Sequence, residues 1–276
     1  MPDGRWAVSA SQDSTLKVWD LATGRTLHTL EGHSGSVNGV AVTPDGKRAV
    51  SASQDSTLKV WDLATGRALR TLEGHSGGVS GGAVTPDGKR AVSASGDCTL
   101  KLKVWDLETG RAPRMLEGHS EAVSGIAVTP DGKSAVSASD DHTLKVWDLG
   151  TGRAHGTLEG HSDVVSGVAV TPDGKQAVSA SWDHTLKVWD LDTGRALRTL
   201  EGHSDRVYGA AVIPDGKRAV SASDDKTLKV WDLDTGQTIA TFHCDAAAIC
   251  CACADQHRIV AGDRGGRVYF LMLEEG

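Results

Sequence analysis

The sequence has no apolar run approaching the roughly 18 residues of a membrane span. It also has no basic start followed by an apolar core, as a secretory leader would require. Positive charge is in short supply: the net charge is −7, which disfavours a broad phosphate-binding surface and, with it, nucleic acid as a partner. Five cysteines, four of them late in the chain (Cys244, Cys250, Cys251, Cys253), make no disulfide framework. No apolar stretch is long enough to argue for a helix. No glycine-rich loop with a following Lys-Ser/Thr is present to cradle phosphates. These absences leave the expectation of a soluble, cytoplasmic, all-β protein without cofactor or membrane contact.

What the chain does have is repetition. A Gly-His step recurs at His33, His75, His119, His161 and His203, and a Trp-Asp step at Trp19, Trp61, Trp105, Trp147, Trp189 and Trp231. Both series advance by 42 residues, with a single interval of 44. Within one period, Val37–Thr43, Arg48–Ser53, Thr57–Leu63 and Arg67–Leu72 are short β-prone runs. Thr43-Pro44-Asp45-Gly46 and Ala64-Thr65-Gly66 are turns between them. Four such runs per period predict a four-stranded meander.

A Gly-His opening and a Trp-Asp ending at this period resemble the WD40 repeat family along nearly the whole chain. The resemblance implies an all-β WD40 β-propeller of seven blades, with incomplete first and last blades. The blades are expected over 1–31 (partial), 32–73, 74–117, 118–159, 160–201, 202–243 and 244–276 (degenerate, partial), as a single domain. Met1-Pro2-Asp3-Gly4 aligns with Thr43-Pro44-Asp45-Gly46, so the chain starts inside a repeat, and it is about twenty residues short of seven full ones. The expectation is a ring cut at one seam, either a fragment of a longer protein or an open ring. Unpaired strand edges there could self-associate. The ending Ile259–Leu271 is similar to the final blade of bacterial WD-repeat arrays, many of which follow a NACHT or NB-ARC module or a kinase. The 44-residue interval comes from Thr99-Leu100-Lys101-Leu102-Lys103-Val104-Trp105, two residues longer than elsewhere. An even insertion keeps side chains on their faces, so Trp105 is expected in its usual place and irregularity near Gly96–Leu102.

Ser, His and Asp invite a hydrolase reading, but the set recurs in every full repeat, whereas an active site is needed once. The resemblance implies structural tetrads instead: His33, Ser51, Asp55, Trp61; His75, Ser93, Asp97, Trp105; His119, Ser137, Asp141, Trp147; His161, Ser179, Asp183, Trp189; and His203, Ser221, Asp225, Trp231. Ser51 is favoured over Ser53, which lies on the same strand face. The first blade keeps Ser9, Asp13 and Trp19 without a His. The last keeps none of the set, with Leu271 for Trp and Gly265 for Asp. The late cysteines, with His243 and His257, have the wrong spacing for zinc knuckles. They read as small buried residues at the positions of Ala210, Ala211 and Ile213, with Cys250 facing away from Cys251 and Cys253.

Departures from so uniform a repeat carry the functional information. In the family, two classes of position reach the face where partners commonly bind. One precedes the turn Asp: Gln12, Gln54, Gly96, Asp140, Trp182, Asp224. The other enters the innermost strand: Ser36 and Asn38, Gly78 and Ser80, Ala122 and Ser124, Val164 and Ser166, Arg206 and Tyr208. Trp182, Arg206 and Tyr208 break the small or polar pattern and are of hot-spot types. They are the candidate partner-binding patch, with Asp163, Asp224 and Asp140 as an acidic surround. The function expected is a non-catalytic protein–protein interaction platform, a scaffold or sensor in a regulatory or signalling assembly. The alternatives are an enzyme at the mouth of the channel and a structural array without a partner.

Overall fold

The computed structural model describes residues 5–96 and 102–274. It divides into two compact units, residues 1–137 with 147–155 and residues 138–146 with 156–276. Among the described residues the chain is all-β, with seven antiparallel sheets and no helix. They are the seven blades of the propeller fold that the repeat predicts. The first sheet has three strands, β1 (Trp6–Ala10), β2 (Leu16–Asp20) and β3 (Thr26–Leu30). The second has four, β4 (Val37–Val42), β5 (Arg48–Ser53), β6 (Leu58–Asp62) and β7 (Ala68–Leu72). The third follows the same order with β8 (Val79–Val84), β9 (Arg90–Ser95), β10 (Leu102–Asp106) and β11 (Arg114–Leu116). The fourth comprises β12 (Val123–Val128), β13 (Ser134–Ser139), β14 (Leu144–Asp148) and β15 (Ala154–Leu158). The fifth comprises β16 (Val165–Val170), β17 (Gln176–Ser181), β18 (Leu186–Asp190) and β19 (Ala196–Leu200). The sixth comprises β20 (Val207–Val212), β21 (Arg218–Ser223), β22 (Thr227–Asp232) and β23 (Thr238–His243). The last again has three strands, β24 (Ala248–Cys253), β25 (Arg258–Asp263) and β26 (Val268–Met272).

The turns follow from their residues. Asp45 Oδ1 accepts the Thr43 hydroxyl at 2.6 Å and the Lys47 amide at 3.0 Å, and Gly46 takes the left-handed φ of 68° that closes the loop. At the next corner Asp62 Oδ1 takes both the amide and the hydroxyl of Thr65. The strands then grade from inside to outside. Ala49 to Ser53 in β5 are all buried, whereas Ala68 to Thr71 in β7 are exposed and only Leu72 is covered. Adjacent sheets share apolar layers: Val50, Leu58, Val60 and Leu72 of the second sheet pack with Val79, Ala91 and Trp105 of the third. No sheet could bury these faces alone, and stacking does it.

The innermost strands carry a recurrent bulge. Val37 pairs with Ser53 but Gly39 pairs with Ala52, leaving Asn38 as the extra residue. The same shift isolates Ser80, Ser166, Tyr208 and Ile249. A bulge takes its residue out of the ladder and re-aims the side chain. In the third sheet Lys103 pairs with Ser93 as Lys59 does with Ser51, so the two added residues leave this register intact. The irregularity expected near Gly96–Leu102 falls mostly on 97–101, outside the described residues.

Ser56, His142, His184 and Lys226 sit at φ between 63° and 68° just after the turn Asp, in the left-handed region that costs an L residue about 1–2 kcal/mol. Ser56→Gly should therefore raise stability by up to about 1 kcal/mol, part of the relief being offset by glycine's freedom in the unfolded chain. Ser56→Val should lower it. Urea midpoints of the two variants moving in the same direction would contradict this account.

Candidate functional site

The repeated Ser, His and Trp meet inside each four-stranded sheet, and in the second, fifth and sixth the Asp joins them. Trp61 donates its indole N–H to Ser51 Oγ at 2.8 Å, and Ser51 Oγ lies 2.7 Å from His33 Nε2. His33 Nδ1 stands 2.7 Å from Asp55 Oδ2. A carboxylate only accepts, so Nδ1 carries the proton and Nε2 receives the serine hydroxyl. Asp55 also accepts the Ser34 amide, which ties the loop before β4 to the β5–β6 turn. The same geometry recurs in His161, Ser179, Asp183, Trp189 and in His203, Ser221, Asp225, Trp231. His75, Ser93 and Trp105 repeat it at 2.7 and 2.8 Å, while Asp97 lies outside the described residues. His119, Ser137 and Trp147 do so at 2.6 and 2.8 Å, and Asp141 accepts the amide and hydroxyl of Thr143. Ser53 has a different task, donating to the Gly35 carbonyl and accepting the Asp55 amide. In the first sheet Trp19 still donates to Ser9 at 2.8 Å.

The order Ser–His–Asp is that of a nucleophilic triad, but access is missing. Ser51, Ser93, Ser137, Ser179 and Ser221 are all 0% exposed, each occupied by an indole N–H. Burial lowers the pKa of His33 and His203, outweighing the Asp partners that raise it. Burial raises those of Asp55 and Asp225, but hydrogen bonds from Thr57 and His33, and from Thr227 and His203, together prevail and hold each carboxyl at about 2.

The last sheet replaces the tetrad with a different clamp. Tyr269 donates to Asp263 Oδ2 at 2.8 Å and accepts the Asp245 amide at 3.0 Å, so loop, second strand and third strand are again joined. Leu271 pairs with Ile259 where Trp231 pairs with Ala219, confirming its substitution for Trp. The cysteines need a correction. Because Ala248 holds the register of Val207, Cys250, Cys251 and Cys253 match Gly209, Ala210 and Val212, one residue earlier than the sequence comparison suggests. Cys244 is buried and Cys251 and Cys253 pack on the core, but Cys250 is exposed on the other face. Cys251 Sγ donates to the Val220 carbonyl at 3.4 Å, and burial pushes the Cys253 thiol up to about 12.

Trp182, Arg206 and Tyr208 come together. The Arg206 guanidinium lies over the Trp182 ring, 4.4 Å from its centroid, and Tyr208 meets that ring edge-on at 6.3 Å. Both elements are held by bonds to backbone carbonyls. Trp182 N–H donates to the Val164 carbonyl, and Ser166 Oγ donates to the Val207 carbonyl at 2.6 Å. A Cβ on Gly167 would stand 3.1 Å from the Tyr208 carbonyl, so a larger residue would push β20 a few tenths of an ångström from β16. Tyr208 is the bulged residue of β20, which frees its ring from the ladder. Its hydroxyl donates to Asp224 Oδ2 at 2.9 Å and accepts from Arg264 at 2.9 Å. Arg264 also approaches Asp224 at 3.5 Å and lies over the Tyr208 ring. Asp224 thus belongs inside the cluster rather than around it. Asp163 Oδ1 takes the Val164 amide, and Asp140 holds the matching turn position after β13.

Arg264 escaped the sequence comparison. Its N–H donates to the Ala247 carbonyl as that of Asp224 donates to Arg206, so it is a further occupant of the position before the turn. The alignment of Gly265 with the turn Asp already implied this equivalence, and the register of β24 on β25 agrees with it. One signal was present: a non-consensus arginine next to the degenerate turn Gly265-Gly266. The Trp182 indole N–H is occluded and has no hydrogen-bond acceptor among the described residues.

Comparison with known proteins follows the same lines. The family model "WD domain, G-beta repeat" matches residues 1–20, 24–62, 66–106, 110–148 and 152–190, together more than half of the chain. The model "TEP-1 C-terminal beta-propeller" matches residues 203–273, the stretch holding Arg206, Tyr208, Asp224 and Arg264. Among curated proteins, the chain is similar to pre-mRNA-splicing factor PRP46 of Saccharomyces cerevisiae, 51% identical over 41 residues, which is 15% of this chain and 9% of that protein. The PRP46 proteins of Eremothecium gossypii and Kluyveromyces lactis are each 44% identical over 41 residues, 15% of this chain and 10% and 9% of theirs. The likeness therefore spans about one repeat and about a tenth of the length of these relatives.

Two outcomes are expected. The unfolded chain protonates its histidines near 6.5 and its aspartates near 3.9, whereas the folded His33, His203, Asp55 and Asp225 resist protonation until lower pH. Their contribution to stability is complete above about 6.5, declines as pH falls below it, and declines further from about 4 towards 2. Urea midpoints across pH should show both stages, and a midpoint flat from neutral pH to about 4 would contradict neutral buried histidines. Trp182→Phe keeps the ring and removes the orphaned N–H, so its melting temperature should match or exceed the wild type. Trp182→Ala should cost about 1–3 kcal/mol, less than a fully buried aromatic.

Proposed function

Since the chain belongs to the WD-repeat family, whose propellers are generally non-catalytic, we propose that it is a protein-interaction platform, a scaffold or sensor within a cytoplasmic regulatory or signalling assembly. The observation that carries this reading is the stack of Trp182, Arg206 and Tyr208. Three non-consensus residues from two neighbouring sheets form one partly exposed cluster in an otherwise uniform array. Aromatic and arginine side chains, held in place before binding, lose little freedom on association and are enriched among residues that dominate interface energies. The repeated serines, buried under indoles, give no support to an enzyme.

The test is capture from a native lysate by the immobilised chain and by the variant Trp182→Ala/Arg206→Ala/Tyr208→Ala, both first shown to be matched monomers. A partner retained by the wild type and depleted at least about tenfold by the variant is expected for loss of such a hot spot. Equal retention by both would move the binding surface elsewhere, and no specific partner would count against a platform.

A further inference from the structure

The two arginines of the cluster are in different states. Arg264 is committed: it donates to Tyr208, pairs with Asp224 and covers the Tyr208 ring. Arg206 is exposed, and its guanidinium has the Trp182 ring for company and no acceptor within hydrogen-bond distance among the described residues. Its neighbour Asp205 is turned to its own backbone, Oδ1 accepting the Arg206 amide at 2.8 Å. The carbonyl of Arg206 is held by the Asp224 amide at 2.9 Å, so the base of the side chain is fixed. The indole removes solvent from the guanidinium without using its N–H donors. A guanidinium so placed keeps a planar fork that matches a carboxylate bidentately.

The surroundings decide which anion. Asp163 lies before β16, Asp205 before β20 and Asp224 after β21, Arg264 is paired with Asp224, and the chain as a whole carries −7. One unmatched positive charge amid carboxylates suits a monoanion. A phosphate dianion or a run of acidic residues would meet like charge that one arginine cannot offset. On the far side of Tyr208, the bulged residue of the next inner strand is Ile249, an exposed aliphatic side chain. The half-buried Trp182 ring beneath the cation, Tyr208 edge-on to that ring and Ile249 at the next bulge are the apolar side chains at these successive positions.

We propose that Arg206, propped on Trp182, receives the side-chain carboxylate of a single Asp or Glu in a protein partner, an acidic residue flanked by an aliphatic one that lies against the neighbouring rings. This rests on the platform reading and adds the chemistry of the partner. It also assigns distinct tasks within the cluster. Arg206 selects charge, Trp182 fixes Arg206, and the Asp224–Tyr208–Arg264 group fixes the wall beside it.

The probe is an array of N-acetylated, C-amidated hexapeptide pools with a central Leu followed by Glu, Asp, Gln, phosphoserine or Lys, the other positions mixed. It is read with the intact chain, Arg206→Gln, Arg206→Lys, Trp182→Phe and Trp182→Ala. Arg206 is exposed, so its variants should fold, and matched melting curves check this. The expected result is selection of Glu or Asp over Gln by about tenfold or more, the size of a charge-assisted hydrogen-bond pair. Arg206→Gln should erase that selection, Arg206→Lys should weaken it because the fork is lost, and Trp182→Phe should keep it. Preference for phosphoserine over Glu would overturn the monoanion assignment in favour of a phosphate. Binding without acid preference that still falls in Trp182→Ala would overturn the carboxylate and leave the platform standing. Binding unaffected by every variant would overturn both, as would no measurable binding to any pool combined with no partner lost by the triple variant in lysate. No binding to any pool alongside a partner that the triple variant does lose would overturn only the linear acidic segment.

Discussion

One buried serine hydroxyl in each four-stranded sheet holds the repeat together. Ser51 accepts from Trp61 and meets His33, and through His33 it reaches Asp55 and the loop amide of Ser34. Two strands, the turn between them and the preceding loop thus depend on an oxygen that is 0% exposed. Any member removed leaves buried polar groups without partners, each at about 1–3 kcal/mol. The constraint explains why the interior of the array varies so little. Trp61, Trp105, Trp147, Trp189 and Trp231 are almost completely buried, and each can donate only if its serine stays on the same strand face ten or, in the third sheet, twelve residues earlier.

Freedom is left where that chain of bonds does not reach. The bulged residue of each inner strand and the residue before the turn Asp take part in neither the ladder nor the tetrad. Asn38 uses its amide to reach Gln54 and the Val79 carbonyl, and Ser166 uses its hydroxyl on the Val207 carbonyl. Tyr208 at the same bulge instead engages Asp224, Arg264 and the Trp182 ring. A position that elsewhere stitches neighbouring strands is here given over to a cluster of side chains. The scaffold supports the cluster through Gly167 and Ser166, which set how closely β20 approaches β16.

Much of this was legible in the sequence because its period is long and its landmarks are polar residues with one geometric role. The strand positions followed from turn chemistry, with ends shifted by about a residue: Thr57–Leu63 became Leu58–Asp62. Ser51, favoured over Ser53 although both share a face, is the serine that meets His33, while Ser53 bonds the Gly35 carbonyl. The juxtaposition of Trp182 with Arg206 and Tyr208 followed from repeat equivalence, but the role of Asp224 did not, because a carboxylate in a list of loop residues carries no sign of what it holds. The place of Arg264 was implied by aligning Gly265 with the turn Asp, but the register of the cysteines was lost. The last repeat changes its length between landmarks, and spacing cannot say where the change lies.

That last repeat also separates what the fold requires from how it is supplied. It has neither His nor Trp nor the turn Asp of the others, yet Tyr269, Asp263 and the Asp245 amide rebuild a bond from loop to strands. The requirement is a polar tie across three chain segments, and the His-Ser-Asp-Trp set is one way to meet it. The residue after Asp263 is the variable position before the turn, and here Arg264 occupies it. The degenerate end of the array is therefore not simply eroded. Its variable loop position supplies the arginine that braces Tyr208, and Tyr208 in turn borders the ring on which Arg206 rests.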